Sequence, residues 1–207
     1  MRLYYHPFSL NARRAVITAL ELAAPVELVL VDLVKREQRQ PAFLALNPAG
    51  RVPVLEDGDL VLPESHAIMI YLAEKSPAQT LYPSDVRARA RVNRWMYWCA
   101  AHFQPAISVL NWENVVKGLA GLGVTDPSEV LRGEKLVQET AALLDSHLAT
   151  HEWVAGSTMT LADISLAAPL MATARAKLPV THLEHLQSWF ERIQARESWR
   201  KTALSIP

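Results

Sequence analysis

Strand-forming runs in this sequence are confined to its first 62 residues, where they alternate with helical ones. Leu3-Tyr4-Tyr5 is short, aromatic and stopped by Pro7, which reads as a strand. Residues 11–22 place Ala12, Ala15, Val16, Ala19 and Leu20 at helical spacing and contain neither Gly nor Pro. Val26-Glu27-Leu28-Val29-Leu30-Val31 is rich in β-branched residues and reads as a second strand. Strand, helix and strand within about 30 residues form a crossover unit, so the two strands are expected to be parallel. Residues 41–46 suggest one or two helical turns, closed before Asn47-Pro48. Val52-Pro53-Val54-Leu55-Glu56 and Asp59-Leu60-Val61-Leu62 then flank Asp57-Gly58, a pair favoured in tight hairpins because glycine accepts positive φ. Pro63-Glu64-Ser65 opens a helix to about Lys75. The order is βαβ followed by ββα.

Beyond this half everything reads as helix. A long helical pattern covers residues 86–116, with a bend expected at Pro105. Further helices are expected over 128–149, 161–176 and 182–195, with a short last one over 198–204. Gly118, Gly121 and Gly123 are read as a helix–helix connection. The predicted organisation is an α/β domain over residues 1–77, a linker over 78–84 containing Pro83, and an all-helical domain over 85–207.

Composition removes several function classes. Lys+Arg and Asp+Glu both number 21, so the chain lacks the basic excess that a dedicated nucleic-acid binder needs. The single cysteine, Cys99, allows no internal disulfide, no CxxC pair and no cysteine-rich zinc site. His6 and His66 form no metal-ligand pattern. The first of the seven glycines is Gly50, which excludes an N-terminal phosphate-cradling loop. No apolar stretch is long enough to span a membrane, and the N-terminus does not read as a signal peptide. Together with the cysteine usage, this gives a cytoplasmic protein as the expectation.

Three motifs sharpen the reading. Val52-Pro53 stands where the hairpin begins, Glu64-Ser65 where the next helix begins, and Gly156-Ser157-Thr158-Met159-Thr160-Leu161-Ala162-Asp163 deep in the helical half. In that last block Thr160 and Asp163 have capping-box spacing, which assigns them to folding rather than to catalysis. In this order and spacing, and with Asn47-Pro48-Ala49-Gly50-Arg51, the motifs closely resemble the cytosolic glutathione transferases over almost the whole chain. The resemblance implies a thioredoxin-like domain with Pro53 in cis and an all-helical second domain that contributes the electrophile pocket. It also implies a homodimer, with glutathione as cosubstrate and no permanently bound cofactor. The leading activity it implies is conjugation of glutathione to a small hydrophobic electrophile. The alternatives are glutathione-dependent peroxide or disulfide reduction, and a non-catalytic binding module of the same fold.

Site residues follow from the resemblance position by position. The loop His6-Pro7-Phe8-Ser9 holds no cysteine, so dithiol exchange by the protein itself is excluded. Ser9-Leu10-Asn11-Ala12-Arg13 is similar to the serine-dependent, theta- or phi-like classes. There Ser9 donates a hydrogen bond to the glutathione sulfur. Asn11 is the alternative donor, as in nu-like bacterial proteins. Tyr4 and Tyr5 lie within the predicted strand. Glu64 and Ser65 are expected to hold the γ-glutamyl end, and Val52's backbone, presented by Pro53, the cysteinyl backbone. Gln38 and Arg51 are placed near the glycyl carboxylate. Phe8, Leu10, His102 and Trp112 are candidates for the electrophile pocket. On the residues alone, Ser65 reads first as a helix cap, a preference that only the resemblance reverses, and the aromatic stripe Trp95, Trp98 and Phe103 reads as core or dimer interface. Arg13 is expected to be structural, packing against the helical half.

Overall fold

The computed structural model describes residues 1–203. The ends of the helix expected over 198–204 and of the domain expected over 85–207 therefore lie outside the described residues. The described residues form two compact units: one comprises Met1–Tyr82 and residues 196–203, the other Pro83–Ala195.

The first unit contains β1 (Arg2–Tyr5), α1 (Leu10–Glu21), β2 (Glu27–Leu30), α2 (Pro41–Leu46), β3 (Val54–Asp57), β4 (Leu60–Pro63) and α3 (Ser65–Lys75). The sheet order is β2-β1-β3-β4, with β1 and β2 parallel and the other pairs antiparallel. This is the βαβ–ββα order predicted. The hairpin turns one residue later than expected, because Asp57 pairs with Leu60 and leaves Gly58-Asp59 as the loop. Gly58 takes φ +64 at the first loop position, where a II′ turn needs it.

The period of two sorts side chains between the sheet's faces. Leu3 and its partner Leu55 point to one side, where they meet Ala15, Val16 and Ala19 of α1 and Ile68 and Leu72 of α3. Val54 points the other way, toward Val31, Phe43 and Val52. Each fully buried Val, Leu, Ile or Phe contributes roughly 1.5–3 kcal/mol, so both faces anchor the sheet.

The last helix, α11 (Glu197–Lys201), packs on α1 within this unit rather than with the other helices. Charge explains the docking. Glu21, with a side chain only 9% exposed, accepts from Arg196 Nε at 2.8 Å and from the Ser198 hydroxyl. Buried Arg13 donates to the Trp199 carbonyl at 3.1 Å and lays its guanidinium 3.8 Å over the Trp199 ring. Arg13 is thus structural, though it packs on the last helix within its own unit rather than on the helical unit, and burial lowers its pKa to about 10.

The second unit begins with α4 (Val86–Trp98), α5 (Gln104–Asn111) and α6 (Lys117–Leu119). Two π-helical turns, Cys99–Phe103 and Trp112–Val116, join them into one helical run. Pro105 has no N–H, and its ring crowds the carbonyl four residues back. The wider turn just before it, closed by Gln104 N–H on the Cys99 carbonyl, accommodates both effects without ending the helix.

α7 (Pro127–Leu148) starts on an Asp126 cap and packs along α5. The approach is so close that a Cβ on Gly133 would lie 2.8 Å from Leu110 Cδ2 and 3.0 Å from Val109 Cγ1. Leu110 is fully buried and has no room to yield. Gly133→Ala gains about 1 kcal/mol of helix propensity but overpacks this seam at a cost of roughly 1–3 kcal/mol. We expect a net loss of stability in thermal melts. A rise in melting temperature would show that the seam can relax.

The helix expected over 161–176 divides into α8 (Leu161–Ala167), a tighter 3-10 turn at Ala168–Ala172 containing Pro169, and α9 (Thr173–Ala176). α10 (Glu184–Gln194) follows. The capping box is present at the start of α8. Asp163, fully buried, accepts Thr160 N–H at 2.8 Å and the Thr160 hydroxyl at 3.0 Å. Its other oxygen accepts Val154 N–H and Trp189 Nε1–H, both at 2.9 Å. Burial pushes this carboxyl's pKa up, against the pull of the four donors.

Candidate functional site

Strand register collects the predicted glutathione residues of the first unit at one end of the sheet. β1 ends at Tyr5, and Tyr4 pairs with Val54 at the start of β3. Val54 in turn pairs with Pro63 at the end of β4. The loop carrying Ser9, the Val52-Pro53 segment and the Glu64-Ser65 corner therefore share one edge. β2 runs parallel to β1, so its exit toward Gln38 lies at the same end.

Ser9 is the N-cap of α1 and its Oγ accepts Ala12 N–H at 3.1 Å. An oxygen held as an acceptor in this way still has its own proton to donate. Ser9 is half-buried, at the positive end of a 12-residue helix. Leu10 and Asn11, the first two residues of α1, are also half-buried, and Phe8 is 51% exposed.

The Val52–Pro53 bond is cis, as the resemblance implies. Val52 is buried and precedes β3, so its amide and carbonyl stand outside the ladder. At the next corner Glu64 adopts φ 71, a left-handed value uncommon for a non-glycine residue and frequent at ligand clamps. Glu64 is the cap residue of α3 and forms no side-chain capping bond. Ser65 is the first helical residue, so it does not take the capping role that its sequence position also allowed. It is buried. The start of α3 thus presents backbone N–H groups that its own side chains do not cap, suited to an anion.

Gln38 sits in a 3-10 turn at Glu37–Arg39. Its carbonyl lies 2.8 Å from where a Cβ on Gly50 would project, so Gly50, at φ +60, allows the two loops to touch. The Gln38 side-chain oxygen is buried and unpaired among the described residues. An unpaired amide oxygen has an open acceptor position, and the same amide turned over would present its N–H₂ there. Arg51 is exposed, and its carbonyl is held by Asn47 Nδ2 at 2.8 Å.

The remaining predicted pocket residues belong to the second unit. His102 lies exposed in the first π-helical turn. Trp112 opens the second and is 44% exposed. It lines a groove of ≈ 370 Å³ with Pro105, Ser108, Val109, Glu129 and Arg132, a groove that His102 does not line. Trp95 and Phe103 are core residues.

Two histidines near the predicted site, His6 buried and His66 half-buried, carried no functional expectation. His66 follows Ser65 and lies 2.8 Å from Arg14 Nη1 through Nε2, so α1 and the first turn of α3 are linked. Burial first, and the Arg14 charge second, lower its pKa to about 3, which keeps the ring neutral. His6 precedes the Ser9 loop and is 7% exposed. An isolated histidine in a sequence gives no sign of burial, so neither was legible.

Comparison with known proteins agrees with this geometry. Residues 3–80 match the family description "Glutathione S-transferase, N-terminal domain" and residues 99–197 "Glutathione S-transferase, C-terminal domain". The chain is 38% identical to "Glutathione S-transferase 3" of Zea mays over 215 residues, covering 100% of this chain and 95% of that protein. The chain belongs to the glutathione S-transferase family. Human "Glutathione S-transferase theta-2" is 35% identical over 174 residues, covering 83% of this chain and 70% of that one. Among solved structures, glutathione transferase F7 of Populus trichocarpa superposes with a TM-score of 0.89 at 29% identity, covering 98% and 97% of the two chains. The theta class glutathione S-transferase of Xanthomonas axonopodis pv. citri, solved with glutathione bound, gives a TM-score of 0.89 at 30% identity over 99% and 97%. Among the described residues of this glutathione S-transferase family member, no helix is long and apolar enough to cross a membrane.

Proposed function

We propose that this protein binds glutathione at the sheet end of its first unit, stabilises the thiolate and transfers it to a small hydrophobic electrophile. The observation that carries the reading is the clustering of three features at one end of the sheet: the capped but still donating Ser9, the Val52 backbone outside the ladder, and the start of α3 with buried Ser65 and no side-chain cap. Each suits one part of the tripeptide. The γ-glutamyl carboxylate meets Ser65 and the α3 amides, and its ammonium meets Glu64. The cysteinyl backbone pairs with Val52 as a short added strand. The glycyl carboxylate faces Gln38 and Arg51.

A free thiol has a pKa of about 8.5, so little thiolate exists at neutral pH. Ser9, or Asn11 as the competing donor, hydrogen-bonds the sulfur and favours its charged form, aided by the α1 dipole. The thiol proton passes to solvent. The sulfur lone pair then forms a carbon–sulfur bond with the electrophile, and either a leaving group departs with its electron pair or the adduct takes up a proton from water. Within the first unit, Phe8 and Leu10, which flank Ser9, are the electrophile-facing side chains of this reading. The family reading adds a cytoplasmic homodimer, checked for assembly by light scattering.

Calorimetry with glutathione tests the anchor. Loss of a charge-assisted contact costs about 1.5–3 kcal/mol, so Ser65→Ala is expected to weaken binding roughly ten- to a hundredfold. An unchanged affinity in a folded Ser65→Ala protein removes the anchor assignment.

A further inference from the structure

The segment between β1 and α1 is closed by a histidine that the proposed chemistry does not use. Ser9 N–H donates to the His6 carbonyl at 3.0 Å, making a four-residue turn with Pro7 in the second position, where its fixed φ is favoured. Phe8 N–H, two residues after His6, donates to His6 Nδ1 at 3.2 Å. That bond sets the tautomer. A backbone N–H can only donate, so Nδ1 holds the lone pair and the ring proton sits on Nε2. The arrangement reproduces with an imidazole what Asn or Asp does with a carboxamide or carboxylate oxygen when it bonds the amide two residues on.

We propose that His6 is a positioning residue for the thiolate donor: by accepting the Phe8 amide it fixes the turn that ends at Ser9, and with it the place where α1 begins and the Ser9 hydroxyl points. The proposal rests on the reading of Ser9 as that donor. Three further observations support it. His6 is 7% exposed, so the turn is held from inside the fold rather than by a mobile surface side chain. Its ring lies 5.3 Å from the Phe8 ring, which ties the same two residues a second time. The downstream side is equally fixed, because Ser9 Oγ accepts Ala12 N–H and the Ser9 carbonyl accepts Arg13 N–H at 2.9 Å. The Ser9 hydroxyl is therefore placed by a bond network with His6 at one end and the first turn of α1 at the other. Burial lowers the His6 pKa, with Asp32 opposing, so the ring is neutral near pH 7 and its lone pair is available. A proton on Nδ1 would set two donors against each other.

The test titrates the thiolate absorbance of glutathione bound to the full chain, in wild type, Ser9→Ala, His6→Ala, His6→Asn and His6→Gln. His6→Ala is expected to raise the apparent pKa of the bound thiol by about 0.5–1 unit, roughly three- to tenfold less thiolate at a fixed lower pH. Its kcat should fall in step while KM for glutathione holds. His6→Asn, which can bond the amide two residues on, should return the titration to near wild type. His6→Gln places its oxygen one bond too far and should behave like His6→Ala. If His6→Ala does not fold, the contrast between Asn and Gln carries the test alone. A bound-thiol pKa that moves in Ser9→Ala but in none of the His6 variants overturns the positioning role and leaves the Ser9 reading intact, even if melting temperatures fall. Equal shifts in Asn and Gln also overturn it. A titration unmoved in Ser9→Ala removes the Ser9 reading, and this proposal with it.

Discussion

Alanine at Ser9 is expected to raise the pKa of the bound glutathione thiol by about one to two units and to lower the rate of conjugation near neutral pH by roughly ten- to a hundredfold. A hydrogen bond to a charged acceptor contributes about 1.5–3 kcal/mol, and one pKa unit corresponds to 1.36 kcal/mol. The sign follows from the charge: removing a donor from an anion disfavours the anion, so the titration moves upward and activity recovers at higher pH. Glutathione affinity is expected to change little, because the anchoring groups proposed at Glu64, Ser65 and Gln38 stay in place. Ser9 also caps α1, so the variant should lose about 1 kcal/mol of stability. That loss alone cannot move a thiol titration. Asn11→Ala is the matched control, since Asn11 lies two residues further along the same helix. An upward shift confined to Asn11→Ala transfers the role to Asn11 and favours the peroxide- or disulfide-reducing reading. No shift in either variant favours a binding module.

Asp163→Ala is the second substitution with a large expected effect, on folding rather than on chemistry. It strips the partner from four donors at once: Thr160 N–H, the Thr160 hydroxyl, Val154 N–H and Trp189 Nε1–H. Each buried donor left unpaired costs about 1–3 kcal/mol, and groups sharing one carboxylate do not add fully. A total of about 3–5 kcal/mol is the expectation. At roughly 2–4 °C per kcal/mol for a chain of this size, the melting temperature should drop by about 6–20 °C. Trp189 fluorescence should report the same transition, because its indole is one of the orphaned donors. Protein that remains folded should bind glutathione normally, since Asp163 and all four donors lie in the second unit. A drop of only the size that a single lost cap gives, about 0.5–2 kcal/mol, would show that the Val154 and Trp189 bonds contribute little. Lost glutathione affinity at an unchanged melting temperature would reverse the assignment to folding.

Much of the architecture was legible because it rests on local chemistry. Period-two and period-3.6 patterns over residues 3–75 gave the βαβ–ββα order, and the Thr160–Asp163 spacing gave the capping box. Asp57-Gly58 gave the hairpin to within one residue. The slip came from pairing, since Asp57 joined the ladder and moved the loop to Gly58-Asp59. Pro105 gave the disturbance in the long helix but not its form, because a π-helical turn and a simple bend relieve the same clash.

The identity of the candidate site residues was written in the sequence through motifs whose residues are close neighbours along the chain: Ser9 with Asn11, Val52-Pro53, Glu64-Ser65. What the sequence by itself determined was therefore the elements, their order and the local caps and turns, all set by interactions within a few residues of one another. The tertiary structure alone decided which distant groups meet. Register brought Ser9, Val52 and Ser65 to one sheet end. Burial turned His6 and His66 into neutral acceptors. Asp163 gained Trp189, 26 positions away, and α11 went to α1 because Glu21 and Arg13 found Arg196 and Trp199. Those partners are 175 and 186 positions distant along the chain. No local pattern records such pairs, because their energy appears only when desolvation makes an unpaired charge or donor costly.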